Sequence, residues 1–125
     1  MPEAPTHPQR RHLRRLERVF AHHPVFLVTV CTLDRQRVLT LPGFPGELAA
    51  AFRQSAYNAG WAVGHYVVMP DHIHFFCSPG AEAHVLPRFV GRWKSWTSRQ
   101  ARHLGTAQRL WQREFLDHVI RSQDR

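Results

Sequence analysis

The chain of 125 residues predicts an α+β fold with a mainly antiparallel sheet. Short runs rich in β-branched and aromatic residues predict strands, and two longer stretches with apolar residues every three or four positions predict amphipathic helices. The elements follow in the order strand, helix, strand, strand, helix, and the two consecutive strands are close enough to form a hairpin. The length fits a single domain that can bury an ordinary hydrophobic core.

The first strand is predicted at residues 25–33, because this run is apolar and β-branched but too short for a normal helix. The first helix is predicted at residues 47–58, where Leu48, Phe52 and Ala56 recur every fourth position. Gly60 follows directly and predicts the end of this helix.

The second and third strands are predicted at residues 61–69 and 72–77, with only Pro70 and Asp71 between them, so they should pair as a hairpin. The second helix is predicted at about residues 84–103, and we expect it to cover the sheet. Its apolar side is formed by residues spaced by four, four and three positions, namely Val85, Phe89, Trp93 and Trp96. A last short strand is predicted near residues 118–120.

This order matches most of the split β-α-β unit of ferredoxin-like folds, a sandwich of one sheet and two covering helices. Residues 1–24 are expected to form a basic N-terminal leader and arm, because residues 1–8 hold three of the nine prolines and residues 9–21 combine arginines with helical apolar spacing. Residues 25–125 then form the domain itself.

The net charge is +8, from 17 basic and 9 acidic residues, which predicts a polyanionic partner such as nucleic acid. The basic residues fall in two groups, one before the first strand and one on the second predicted helix, so a nucleic acid strand can lie across the domain. We expect phosphate contacts from Arg14 and Arg15 in the first group and from Arg88, Arg92, Lys94, Arg99 and Arg102 in the second.

Other features of the composition place the protein in the cytoplasm. No segment approaches about 18 continuous apolar residues, and the N-terminus lacks a charged start followed by an apolar stretch, so neither secretion nor membrane insertion is expected. Cys31 and Cys77 lie in apolar, strand-like runs and are interpreted as buried thiols. A DNA-binding protein of this kind would be associated with the bacterial nucleoid.

His72 and His74 are the first candidates for an active site. They are two residues apart on a predicted strand, so both imidazoles point to the same face of the sheet. Two neutral imidazoles held side by side can bind a divalent metal ion, which can then polarise a phosphate or a carbonyl. The alternative is an ordinary pair of surface histidines, since the chain has ten histidines. Asp71 is the nearest carboxylate, but strand alternation predicts that it points away.

Among the tryptophans, Trp111 is the strongest candidate for stacking on an unpaired base, because its sequence neighbourhood is polar. Trp93 and Trp96 share the apolar register of the second helix, and we expect them to pack in the core instead.

Four segments together resemble the REP-associated tyrosine transposases, which belong to the single-tyrosine HUH (insertion-sequence) transposase superfamily. These segments are Phe26 to Arg35, Met69-Pro-Asp-His-Ile-His74, the helix with Trp93-Lys94, and Leu110 to Arg121. The resemblance covers nearly everything from residue 25 onwards. It implies a ferredoxin-like nuclease domain, often dimeric, that recognises single-stranded DNA hairpins and cuts beside them during DNA transposition.

The resemblance also implies a chemistry. A tyrosine attacks a phosphodiester and forms a phosphotyrosine, while Mg²⁺ or Mn²⁺ on His72 and His74 neutralises charge on the phosphorus. Such hard cations prefer oxygen ligands, so a further ligand should complete the site. His118 and Arg121 fall inside the last matching segment, where they would shape the site or contact phosphate.

The sequence departs from the family at the nucleophile. The family tyrosine follows the segment that ends here at Arg121, whereas the two tyrosines of this chain, Tyr57 and Tyr66, both precede the histidines. The nucleophile is therefore unknown, and we expect DNA binding without autonomous cleavage. A homodimer, or a mixed dimer with a full-length relative that supplies a tyrosine, is a further expectation. The alternatives are a non-catalytic nucleic-acid-binding regulator and a phosphodiesterase that uses activated water.

Overall fold

The computed structural model describes residues 24–106 and 109–120, without the side chains of residues 55 and 56. The arm predicted at residues 1–24 lies almost entirely outside the described residues, as do its candidate DNA contacts Arg14 and Arg15. Arg121 also lies outside them.

The described residues form one four-stranded sheet and two α-helices, with β1 at Val25–Cys31, α1 at Phe44–Ala59, β2 at Trp61–Val68, β3 at His72–Pro79, α2 at Leu86–His103 and β4 at Leu116–Ile120. The strand order is β2-β3-β1-β4, and all neighbouring strands are antiparallel. Each helix therefore joins two parallel strands that are separated by one antiparallel strand. Two such split β-α-β units interleave, which confirms the predicted ferredoxin-like α+β fold.

The element boundaries differ from the predictions where the backbone turns. β1 ends at Cys31, because Leu33–Arg35 form a short 3₁₀ turn. Asp34 and Arg35 in this turn have left-handed backbone angles, with φ of 57° and 54°. α1 ends before Gly60, whose φ of 77° suits the residue that follows a helix. The predicted last strand is longer than expected.

Both helices pack on one face of the sheet around Phe75 of β3. The ring of Phe75 lies 4.8 Å from that of Phe52 on α1 and 5.7 Å from that of Trp93 on α2, measured between centroids. Ile73 and Cys77, which lie two positions before and after Phe75 on β3, are also fully buried. The core thus occupies one side of the sheet, and the alternate residues of β3 must point to the other side.

One residue of the apolar stripe predicted for the second helix does not pack in the core. Val85 is 70% exposed, because it lies at the N-cap of α2 with an extended backbone and precedes the first helical turn. Phe89 and Trp93 are fully buried, as predicted, and Trp96 is half-buried against the core. The buried stripe therefore starts one turn later than the spacing suggests.

Two further predictions concern thiols and membranes. Cys31 and Cys77 are both free; Cys77 is buried, as predicted, whereas Cys31 is half-buried. Burial raises the pKa of the Cys77 thiol, so this side chain is an inert core residue. Neither α1 nor α2 is long and apolar enough to cross a membrane.

Candidate functional site

His72 and His74 lie side by side on the face of the sheet opposite the helices, which we call the open face. Their register partners on β1, Cys31 and Thr29, share this face. The two imidazole rings are 4.8 Å apart between centroids and nearly perpendicular, at 80°. The i, i+2 spacing thus brings the two rings together as the sequence predicts.

The side chain of Asp71 contacts His72 and does not point away from it, so this expectation is wrong. β3 begins at His72, so Asp71 belongs to the turn before it and escapes the strand alternation. Asp71 Oδ1 accepts a hydrogen bond from His72 Nδ1 at 2.8 Å, and the second oxygen accepts one from Arg35 Nε at 3.0 Å. The hydrogen bonds from His72 and Arg35 lower the pKa of Asp71, which keeps the carboxylate ionised.

This contact fixes the tautomer of His72. An ionised carboxylate can only accept, so Nδ1 of His72 carries the proton and its Nε2 keeps a free lone pair when the ring is neutral. Metal-binding histidines commonly donate their other ring N–H to a carboxylate in this way.

His74 has a comparable partner on β1. Thr29 Oγ1 and His74 Nδ1 form a hydrogen bond of 2.8 Å between residues that face each other across the two strands. When the hydroxyl accepts this bond, the Nε2 of His74 also keeps a free lone pair. Partial burial, and then the nearby His72, lower the pKa of His74 and favour the neutral imidazole that a metal requires.

The two imidazoles fit one side of a divalent-metal site but do not complete it. Within residues 24–106 and 109–120, no group of three His, Cys, Asp or Glu side chains is placed to hold a metal ion. The carboxylate of Asp71 is already bound to His72 and Arg35, so its role here is to orient His72. Any further ligand, such as a phosphate oxygen of a substrate, has to come from outside this part of the chain.

Neither tyrosine reaches the histidine pair. Tyr66 pairs with Phe75 in the sheet, packs against Phe52 with ring centroids 5.2 Å apart, and therefore faces the helices. Burial raises the pKa of its hydroxyl, which makes it a poorer nucleophile. Tyr57 is 88% exposed but lies on α1, also on the helix side of the sheet. Both side chains are thus separated from His72 and His74 by the sheet.

His118 lies on the open face, but not beside the metal candidates. It is an exposed residue of β4 whose register partner is Leu27 of β1, while β3 lies on the other side of β1. Two strand spacings separate the β3 and β4 backbones, or roughly 10 Å. His118 can therefore border a substrate on this face, at a distance from the imidazole pair.

The arginines predicted on the second helix lie on the opposite side of the domain. Arg88, Arg92, Arg99 and Arg102 are all exposed on α2. They surround two grooves, one between α2 and α1 and the other between α2 and residues 109–113. The structure thus places these basic side chains together, but on the face away from His72 and His74.

The ammonium group of Lys94 is bound to the protein backbone and is not free to contact a phosphate. Its Nζ donates to the backbone oxygens of Gln112, Arg113 and Glu114, at 2.8, 2.9 and 3.3 Å. Partial burial, more than any neighbouring charge, lowers the pKa of this ammonium. The prediction of a phosphate contact is corrected because the three protons of Lys94 are used to hold the turn before β4.

Trp111 is the second correction. The side chain is 2% exposed, and its Nε1 donates to Thr97 Oγ1 on α2 at 2.7 Å. Its ring packs against Trp93, with 5.0 Å between centroids. Trp111 is thus a core residue that cannot stack on a base, although the residues beside it in the sequence are polar.

Reasoning from the sequence missed Thr29, Asp71 and Arg35 as partners of the histidine pair. The one available signal was the adjacency of Asp71 and His72. Thr29 and Arg35 reach the site through strand pairing and a left-handed turn, for which the sequence gives no local signal.

Comparison with known proteins places this geometry in context. The sequence profile described as "Transposase IS200 like" matches residues 22–120. No curated protein sequence matches the chain significantly.

Two solved structures share the fold. A protein described as a transposase, from Deinococcus radiodurans, is 22% identical with a TM-score of 0.68, and the match covers 82% of each chain. A REP-associated tyrosine transposase, solved bound to a REP hairpin, is 21% identical with a TM-score of 0.63. That match covers 79% of this chain and 57% of the other, so this chain corresponds to little more than half of that transposase.

Proposed function

Because this chain belongs to the IS200-like transposase family, we propose that it binds single-stranded DNA hairpins and supplies two metal ligands for phosphodiester chemistry. The observation that carries the proposal is the arrangement of His72 and His74, whose Nδ1 atoms each have a partner while both Nε2 atoms are left for a metal. The net charge of +8 and the exposed arginines of α2 support a DNA partner. Such a partner places the protein at the bacterial nucleoid, in the cytoplasm.

In the proposed site, Asp71 and Thr29 orient the two imidazoles toward the scissile phosphate. A bound Mg²⁺ or Mn²⁺ would stabilise negative charge on the phosphate oxygens and on the departing oxygen. A tyrosine oxygen attacks the phosphorus after losing its proton, the bond to the 3′ oxygen breaks, and the 3′ hydroxyl leaves with a proton from solvent. The 5′ phosphate then remains on the tyrosine, ready for rejoining.

The attacking tyrosine is not among the described residues beside the histidines, because Tyr57 and Tyr66 lie on the helix side of the sheet. Cleavage therefore requires a tyrosine from outside this part of the chain. We propose that a full-length relative supplies it in a mixed dimer, because a second copy of this chain brings only the same Tyr57 and Tyr66. In isolation the chain would bind hairpin DNA without cutting it.

A second candidate function follows from the same placement of the tyrosines. The chain can act as a non-catalytic regulator that binds hairpin DNA and has no strand-transfer activity. This function needs only the basic surface, so it predicts that metal ions do not change DNA affinity. The first candidate predicts tighter DNA binding in the presence of Mn²⁺, which His72 and His74 would hold and which would attract the phosphate.

The deciding experiment incubates the purified chain with an end-labelled single-stranded hairpin, with and without Mn²⁺, and separates the products by denaturing electrophoresis. We expect DNA binding in a parallel mobility-shift assay, but neither nicked DNA nor label trapped on the protein. Addition of a full-length relative with an inactivating His→Ala change should restore nicking only in the mixed dimer. A covalent adduct on the chain alone would refute our placement of the nucleophile, and absence of DNA binding would refute the proposed function.

A further inference from the structure

A groove between α1 and α2 lies on the side of the domain away from His72 and His74. It encloses about 600 Å³, which is within the range of ordinary ligand sites. Three arginines of α2 line it, at positions that recur along one side of that helix: Arg88, Arg92 and Arg99. No Asp or Glu in the described part of the chain lines the groove, so its potential favours an anion.

The opposite wall of the groove carries amide groups. Gln54 and Asn58 are one helical turn apart on α1, and both line the groove. An amide side chain presents a donor and an acceptor together, which is the combination that matches the edge of an unpaired nucleobase. The guanidinium groups and the amides are therefore arranged as a phosphate-binding wall facing a base-binding wall.

Trp96 of α2 also lines the groove. Its Nε1 is buried and has no hydrogen-bond partner among the described residues, although buried donors are normally paired. The guanidinium of Arg99 lies over its ring, 5.8 Å from the centroid. The buried Nε1 is out of reach of a ligand, so Trp96 can contribute only ring surface to the groove.

Gly91 of α2 lines the groove without a side chain. A Cβ atom on this residue would meet nothing within 4 Å, so no packing contact in the described structure requires glycine. Glycine inside a helix is less favourable than alanine. Gly91 and Ser95 line both this groove and the neighbouring groove of about 420 Å³, so small residues form the ridge between the two. A chain of nucleotides can cross at this ridge.

We infer that the groove between α1 and α2 binds unpaired nucleotides of the DNA, with phosphates on Arg88, Arg92 and Arg99 and a base against Asn58, Gln54 and Trp96. This inference rests on the proposed DNA-binding function. The groove has room for roughly one or two nucleotides. A double helix keeps its base edges paired, so it would leave the amides of Gln54 and Asn58 without partners.

The test measures the affinity of three variants and the wild type for two labelled DNAs by fluorescence anisotropy. One DNA is an unstructured oligothymidine, and the other is a blunt hairpin with a minimal loop. Arg92→Ala removes a phosphate contact, and Asn58→Ala removes a base contact. Arg53→Ala is the matched control, because Arg53 is an exposed arginine of α1 that does not line the groove.

We expect Arg92→Ala and Asn58→Ala to weaken oligothymidine binding by about tenfold, within the range of single base contacts. Arg92→Ala should also lower the slope of log affinity against log salt concentration by about 0.7, as expected for one lost phosphate contact with a single strand. Asn58→Ala should leave that slope unchanged. Asn58→Ala should not change affinity for the blunt hairpin more than about twofold, whereas Arg92→Ala is expected to weaken binding of both DNAs because it removes a positive charge from the basic surface. Arg53→Ala should change oligothymidine affinity no more than about twofold.

The possible failures are distinguishable. Equal weakening by Arg53→Ala would show that only the general positive field acts, and equal weakening of both DNAs by Asn58→Ala would show that the groove does not select unpaired nucleotides. Either result overturns the inference while leaving hairpin binding in place. If the wild type binds neither DNA, the proposed function and the inference both fail. Because the three substituted side chains are exposed, circular dichroism should confirm that all the variants fold.

Discussion

At the residue scale, the partners of the two imidazoles explain why this histidine pair is suited to a metal. The Asp71 carboxylate and the Thr29 hydroxyl occupy the Nδ1 atoms of His72 and His74, respectively. Arg35 holds the other oxygen of Asp71 from a turn in which two successive non-glycine residues have positive φ. Such backbone angles cost of order 1 kcal/mol or more, so the surrounding contacts must hold this turn in place.

The orienting role of Asp71 can be tested with Asp71→Asn. An amide is a poorer acceptor than a carboxylate and does not fix the tautomer of His72, so Mn²⁺ affinity should fall about tenfold or more, as for other outer partners of metal ligands. Isothermal titration calorimetry with Mn²⁺ measures this effect. The matched control is Asp34→Asn, an exposed residue whose left-handed backbone suits asparagine, which should leave Mn²⁺ affinity unchanged. Equal affinities for Asp71→Asn and the wild type would contradict the role of Asp71.

A second prediction at this scale concerns Trp111. Trp111→Phe removes the hydrogen bond to Thr97 and part of a buried ring, so the free energy of unfolding should fall by roughly 1–3 kcal/mol in urea denaturation. Trp96→Phe removes an indole N–H that has no partner in the described structure and should cost less. An exposed stacking residue would tolerate phenylalanine with a change of no more than about 0.5 kcal/mol in the free energy of unfolding. A loss as small as that for Trp111→Phe would restore the interpretation of Trp111 as a surface residue.

At the scale of whole elements, α2 stabilises the sheet through two separate contacts. Its buried stripe, including Phe89 and Trp93, covers the core, while Lys94 holds the turn that leads into β4. β4 is an edge strand that pairs only with β1 within the described sheet, and most of its residues are exposed. Its placement therefore depends strongly on the contacts of the turn before it.

This dependence predicts the effect of Lys94→Met. The methionine keeps most of the apolar stem but loses three hydrogen bonds to the 112–114 backbone, so stability should fall by about 1–2 kcal/mol. Hydrogen exchange measured by NMR should accelerate selectively in β4. The control is Arg92→Met, a change at an exposed position of the same helix. It should change the free energy of unfolding by no more than about 0.5 kcal/mol and should leave hydrogen exchange in β4 unchanged. Unchanged β4 protection in Lys94→Met would show that this contact is dispensable.

At the scale of the whole molecule, the sheet separates the two proposed sites on its opposite faces. The histidine pair occupies the open face, and the exposed arginines of α2 occupy the helix face. A substrate that reaches both has to pass around an edge of the sheet, and the edges are β2 and β4. We therefore expect mutations to separate the proposed DNA binding from the proposed chemistry.

Separation of the two faces predicts the behaviour of a double variant, His72→Ala with His74→Ala. Mn²⁺ binding measured by calorimetry should be lost, while affinity for hairpin DNA without metal should stay within about twofold of the wild type, since the exposed arginines of α2 that are proposed to bind the DNA lie on the other face of the sheet. Anisotropy titration at fixed salt concentration measures the DNA affinity. A large loss of metal-free DNA affinity would mean that the hairpin lies mainly on the open face.

The sequence by itself determined the order of strands and helices, the hairpin before His72 and the common face of His72 and His74, because periodicity and turn residues act locally. Local pattern failed where a side chain meets a distant segment. Asp71 contacts His72 because a turn interrupts the alternation, Lys94 finds its three acceptors 18 to 20 residues away, and Trp111 is buried under α2 in spite of polar neighbours. Only the tertiary structure decided which basic residues remain free for a ligand, because burial and hydrogen-bond partners depend on how the elements pack.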